Sequence, residues 1–258
     1  MTSEPHAALV VRDFGGLMRL LREKEPGRPR LTWYGADGER VELSGRVLDN
    51  WVAKTANLLV DELDVGPGSR VLLHLPLHWR TATWLLATWW VGATAVVADA
   101  SDEPLRPTDV ERAAGGDVDV VVSDRPHLLG ALLAAGVPLV AQPLPALSRG
   151  WDGELPAGAL DATTEVRGQG DVFVPSTDPD DGALFTAAAH TLSGTTWPPR
   201  PRVLISTAEQ VDPRPGGAPG QWLLAPLAAD GSLVVVASAP GSAGYESAAA
   251  QEGVTARR

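Results

Sequence analysis

Four short apolar runs constrain this chain more than anything else in it. They are Arg70-Val71-Leu72-Leu73-His74-Leu75, Ala93-Thr94-Ala95-Val96-Val97, Val118-Asp119-Val120-Val121-Val122 and Pro138-Leu139-Val140-Ala141. Each is too short for a helix and too continuously apolar for a strand with one wet face. Strands buried on both faces read this way, and parallel neighbours need a crossover, usually a helix. Helical stretches do separate the runs: an apolar, Trp-rich one before 93, a short one near 108–114, and another over 126–135. The fold class expected is therefore α/β, with mostly parallel sheets covered by helices.

The segment before the runs fits the same plan. Phe14, Leu17, Met18 and Leu21 recur on one face of a helix over 10–22. Arg30-Leu31-Thr32-Trp33-Tyr34 and Glu39-Arg40-Val41-Glu42-Leu43 read as two strands joined by a turn at Gly35-Ala36-Asp37-Gly38. Ser44 is a good N-cap for the next helix. Val47, Leu48, Trp51, Val52, Thr55, Leu58 and Leu59 give that helix an apolar face.

Composition narrows the partners. The 258 residues carry a net charge of -11, which repels a phosphate backbone and an anionic lipid surface alike. No nucleic acid and no membrane is expected as a partner. A homo-oligomer through a Trp-rich surface is the association that composition leaves open. There is no cysteine, so disulfides and thiolate chemistry are excluded. The first ten residues do not read as a signal peptide, and a cytoplasmic location is expected. Residues 81–98 lack charge, but Gly92 divides them into a buried helix and a buried strand rather than a membrane span.

Residues 1–141 read as a first α/β subdomain, 142–182 as an irregular connection with some ordered pieces such as Asp171-Val172-Phe173-Val174, and 183–258 as a second, shortened α/β subdomain. An internal echo suggests that the two halves are related. Arg70-Val71-Leu72 returns as Arg202-Val203-Leu204, and Trp84-Leu85-Leu86-Ala87 as Trp222-Leu223-Leu224-Ala225. The strand after Gly92 returns after Gly231, and Leu43-Ser44-Gly45 returns as Leu192-Ser193-Gly194. Ala183-Leu184-Phe185-Thr186 is expected as a strand, and 248–258 as a final short helix or frayed tail.

Leu31-Thr32-Trp33, the helix with Ala53, Ala56, Asn57 and Leu58, and Gly66-Pro67-Gly68-Ser69-Arg70-Val71 together carry a resemblance. So do Leu75-Pro76, Gly92-Ala93 and Val96-Val97. Over 28–124 the chain resembles the N-terminal part of the acyl-adenylate-forming enzymes, the AMP-dependent synthetases and ligases. The second half resembles them less closely. The resemblance implies ATP and AMP as ligands and a phosphate loop of the form Ser/Thr-Ser-Gly-Thr-Thr-Gly, a variable residue, Pro and Lys. The nearest match is Leu192-Ser193-Gly194-Thr195-Thr196-Trp197-Pro198-Pro199-Arg200. Ser193, Gly194, Thr195, Thr196 and Arg200 are thus candidate phosphate contacts in a degenerate loop. Trp197 stands in place of the last glycine, and Arg200 in place of the lysine. The alternative is that Leu192-Ser193-Gly194 merely repeats Leu43-Ser44-Gly45, a strand end and helix cap.

The rest of the family's apparatus is not found. Tyr245-Glu246 does not supply the Tyr-Gly-x-Thr-Glu segment, and Lys24 and Lys54 are the only lysines. The family's ribose-binding aspartate and lid with its lysine are also not found. No catalytic residue and no metal ligand set is assigned. His74 and His78 do not share a helix face, and with Trp79 they are pocket candidates at the carboxyl end of a strand. Asp178, Asp180 and Asp181 flank Pro179 in what reads as a solvated turn. The nine tryptophans are expected mainly in the core. The reading is a catalytically degenerate relative with a structural or regulatory role. A non-catalytic binder of a nucleotide or acyl ligand, or an interaction module, are its alternatives.

Overall fold

The computed structural model describes residues 6–98, 103–177, 179–207 and 220–257. Asp13 caps α1 (Phe14–Glu23), its carboxylate accepting the Gly16 N–H. β1 (Pro29–Tyr34) and β2 (Arg40–Ser44) form the expected hairpin. Ser44 caps α2 (Gly45–Asp61), its hydroxyl accepting the Val47 N–H at 3.3 Å. Then come β3 (Arg70–His74), α3 (Trp79–Trp90), β4 (Thr94–Val97), α4 (Pro107–Ala114) and β5 (Val120–Ser123). A 3-10 turn at Pro126–Leu129 runs into α5 (Gly130–Ala134), followed by β6 (Leu139–Ala141), β7 (Leu160–Asp161) and α6 (Ala162–Gly168). The last elements are α7 (Gly182–Ser193), β8 (Arg202–Ser206), a π-helical turn at Gly220–Leu224 leading into α8 (Ala225–Ala228), β9 (Ser232–Val236), α9 (Ala243–Gln251) and β10 (Ala256–Arg257).

Two five-stranded sheets result. One has the order β10-β8-β9-β1-β2, the other β4-β3-β5-β6-β7. Every neighbouring pair is parallel except the β1–β2 hairpin. The period of two along each strand divides the core. Val71, Leu73, Val120 and Val122 of one sheet face the same core as Val203, Ile205, Leu233 and Val235 of the other, with α2, α3, α7 and α8 between them. Leu72 and Val121 face outward onto Val110 of α4 and Leu132 of α5, and Leu204 and Val234 face outward onto α9. Both faces of both sheets are thus covered, which is why the strands read as unbroken apolar runs. Each large side chain so buried contributes about 1.5–3 kcal/mol. Seven of the nine tryptophans are buried and none is exposed, so they offer no tryptophan-rich surface.

The echo has a structural counterpart in β3–α3–β4 and β8–α8–β9. In register, Arg70 lies beside Thr94, and Arg202 beside Ser232. The two preceding glycines serve different needs. Gly92 takes a left-handed φ of 82°, whereas a Cβ on Gly231 would sit 2.3 Å from the Pro201 carbonyl oxygen.

Several expectations need correction. Residues 183–186 are not a strand but the start of α7, because the Ala-rich run through Ala189 sustains a helix. Leu192-Ser193-Gly194 does not repeat Leu43-Ser44-Gly45 structurally, since Ser44 starts a helix and Ser193 ends one. The ordered pieces of 142–182 are β7 and α6, whereas 171–174 is neither helix nor strand. The tail is α9 followed by a strand rather than a frayed end. β1 and β2, from the stretch expected as the first subdomain, pair into one sheet with β8, β9 and β10. Asp178 lies outside the described residues. Asp180 is exposed, but Asp181 is buried and accepts the Phe14 N–H at 2.7 Å, tying the start of α7 to that of α1.

Candidate functional site

β3 ends at His74 between β4 and β5. The imidazole is fully buried, with Nδ1 2.9 Å from Ser123 Oγ at the end of β5. His78 caps α3, its Nδ1 accepting the Arg80 N–H at 3.3 Å. Burial, and then the Arg80 charge, push its pKa down to about 3, so at neutral pH it is an uncharged acceptor. Its ring meets Trp33 edge-on at 4.5 Å. Trp79 opens α3 and packs T-shaped against Trp51. His78 and Trp79 are thus in ring contact at the start of α3, while His74 closes β3 and pairs with Ser123.

Sequence reasoning passed over their neighbour, Arg80. It is 3% exposed and is the one charged residue in the twelve of α3. Nε donates to the Leu144 carbonyl at 3.4 Å and Nη2 to the Pro145 carbonyl at 3.3 Å. The guanidinium lies 4.2 Å from the Trp79 ring centroid and 5.6 Å from that of Trp51. No carboxylate forms an ion pair with it among the described residues. Burial, then the charge of Arg167, lowers its pKa to about 10, which leaves it protonated at neutral pH. The signal was available: an isolated charge in an apolar helix is a positioned charge. A small cleft opens beside it, lined by Trp51, Trp79, Trp84 and Gln142 among others, with room for about one water. Trp79 lines the cleft, and His74 and His78 do not.

The candidate phosphate segment lies elsewhere. Ser193 is the last residue of α7, and its hydroxyl donates to the His190 carbonyl at 2.8 Å. Gly194 caps the helix, its N–H turned back to His190 and Thr191. The Thr195 hydroxyl donates to the Leu192 carbonyl at 3.1 Å, and Thr196 is exposed. Trp197 packs into the core, 7% exposed. The segment thus sits at a helix C-terminus, where the carbonyl ends carry partial negative charge.

Arg200 joins a buried ion cluster at the start of β1 and β9. Asp230, fully buried, lies 2.9 Å from Arg200 Nε, 2.9 Å from Lys24 Nζ and 2.8 Å from Arg30 Nη1. Arg28 approaches within 3.5 Å, and Glu25 pairs with Arg200 from outside. Burial works against ionisation of Asp230, but the ion pairs with Lys24 and Arg30 and the charge of Arg200 hold its carboxyl below the usual range. Arg200 and Asp230 both have left-handed backbones, φ 54° and 59°, so the ion pair joins two tight turns. Among the described residues no cluster of His, Asp and Glu has the form of a metal site, and no helix is long and apolar enough to cross a membrane.

No family model matches the chain. A TIGR03089 family protein of Mycobacterium tuberculosis is 36% identical over 231 residues, covering 87% of this chain and 89% of that protein. Among solved structures, an acyl-CoA synthetase of Brucella canis superposes with a TM-score of 0.67 at 16% identity, over 93% of this chain and 46% of its own. The anthranilate CoA ligase AuaEII, solved with anthranoyl-AMP, gives 0.64 at 14% identity, over 95% and 48%. MatB of Rhodopseudomonas palustris gives 0.59 at 15%, over 84% and 44%. The chain spans less than half the length of these three solved proteins. The chain belongs to the TIGR03089 family and has the fold of the N-terminal region of the acyl-adenylate-forming enzymes.

Proposed function

We propose that this is a catalytically degenerate form of the adenylate-forming fold, with a structural or regulatory role in place of carboxylate activation. Trp197 carries this reading. It stands where the resembled loop has its last glycine, and its indole is packed into the core. Adenylate formation needs donors preorganised around phosphates where charge builds in the transition state. Here the Ser193 and Thr195 hydroxyls are turned back onto α7, and Arg200 is engaged by Asp230 and Glu25. ATP and AMP do not fit this segment without dismantling it.

The test is exchange of radiolabelled pyrophosphate into ATP by the purified protein, across aliphatic and aromatic carboxylic acids. The expected result is no exchange above a protein-free blank. Exchange that depends on any one acid overturns the reading. A thermal titration with AMP adds the second readout, with no shift expected at millimolar AMP. A saturable shift without exchange would favour a relative that holds a nucleotide without turning it over.

A further inference from the structure

The Arg80 guanidinium is a buried positive charge with no carboxylate in ion-pair contact among the described residues. Its Nε and Nη2 are taken by the carbonyls of Leu144 and Pro145, which leaves Nη1 without a hydrogen-bond acceptor among the described residues. Beside it, the buried Trp79 indole N–H has no acceptor either. Gln142 uses its amide oxygen to accept from Trp84 Nε1 at 2.8 Å and donates one amide hydrogen to the Pro143 carbonyl at 2.7 Å, so its second hydrogen is spare. Thr55 and Thr83 commit their hydroxyl hydrogens to the Trp51 and Trp79 carbonyls. Unmatched donors therefore dominate the cleft, and no Asp or Glu lines it.

The surroundings add to this bias. The charge of Arg167 acts on Arg80 with the same sign, and that of Glu39 opposes it, although the Glu39 carboxylate already accepts the Ala146 N–H at 2.8 Å. The cleft lies at the N-terminus of α3, beyond the ends of β3 and β6, on the sheet edge where open α/β folds place ligands. Its size excludes a di- or triphosphate. We propose that this cleft is an anion site, in which a small monovalent anion, a halide or a carboxylate, supplies the missing counter-charge of Arg80 and accepts from the Trp79 indole.

Three tryptophans line the cleft, so intrinsic fluorescence reports on it directly. The full chain is titrated with sodium chloride, formate, acetate or butyrate, each replacing a bulky sulfonate at constant ionic strength. Saturable fluorescence change with at least one anion is expected. Arg80→Gln should abolish it. Trp79→Phe, which keeps the aromatic packing and removes the N–H, should weaken binding about tenfold, as loss of a hydrogen bond to a charged group does. Chloride and formate binding most tightly would identify a free inorganic-sized anion; affinity rising toward butyrate would identify the carboxylate head of an organic ligand. A linear, unsaturable response to every salt overturns the proposal. So does a saturable response unchanged in a folded Trp79→Phe variant, whether or not Arg80→Gln folds.

Discussion

Arg30 and Arg80 are both buried arginines, yet their settings are opposite. Arg30 is enclosed at the start of β1 and meets the Asp230 carboxylate, itself ringed by Lys24, Arg28 and Arg200. Arg80 is enclosed at the start of α3 and, among the described residues, meets two carbonyls and two tryptophan faces but no carboxylate in ion-pair contact. Removing one partner of a buried pair strands the other charge, whereas an already unmatched charge strands no opposite charge when it goes. The first arginine therefore belongs to the framework, joining α1, β1 and the turn before β9. The second is available to something outside the chain.

The contrast can be broken most forcefully at Asp230. Asp230→Ala should cost about 3–5 kcal/mol by denaturant unfolding, since it leaves Arg30 buried and unpaired. A loss below about 1 kcal/mol would mean that the ring of cations is solvated and the contrast false. His78 sharpens the other side. Between about pH 6.5 and 3 the unfolded chain binds a proton that the folded chain refuses, so stability falls as pH falls through that window. The slope from this group is at most about 1.4 kcal/mol per pH unit. His78→Asn keeps a capping acceptor and removes the titration, so its stability profile should be flatter there; parallel profiles would refute the buried neutral imidazole. Arg80→Met should leave stability within about 1 kcal/mol of the parent, because lost carbonyl bonds offset relief of the unmatched charge. Thermal unfolding checks this. The smallest effect is expected for Arg200→Ala, a half-exposed partner of Asp230, at under about 1 kcal/mol. A larger loss would make the turn at Arg200 a main support of the cluster.

Much of the fold was legible because its strands are buried on both faces and leave an unbroken apolar trace. Ser44 as a cap and Gly92 as the divider between α3 and β4 were equally local signals. What failed was either ambiguous or distant. Ala183-Leu184-Phe185-Thr186 is too short to distinguish a strand from the first turn of a helix, and only the alanines beyond it decide. The place of β1 beside β9 depends on Leu31 meeting Leu233, a pairing that no local pattern encodes. At the site, the carboxyl edge of β3 was found from His74 and His78 because a strand end is visible in sequence. Arg80 was missed because the uncharged stretch was read from 81 onward, one residue past it. Its lack of a carboxylate is a property of the packed structure alone.

The insertion of β1 between β2 and β9 bears on how the chain is made. About 200 residues separate Leu31 from its partner Leu233. At roughly 5–20 residues per second, the β1–β2 hairpin leaves the ribosome on the order of ten to forty seconds before β9, the strand that pairs with its free edge. Throughout that interval Leu31 and Trp33, both buried in the finished protein, have no sheet to enter, and one edge of β1 is open. Synthesis therefore exposes an adhesive hairpin early and closes it late, a kinetic exposure that the finished sheet no longer shows.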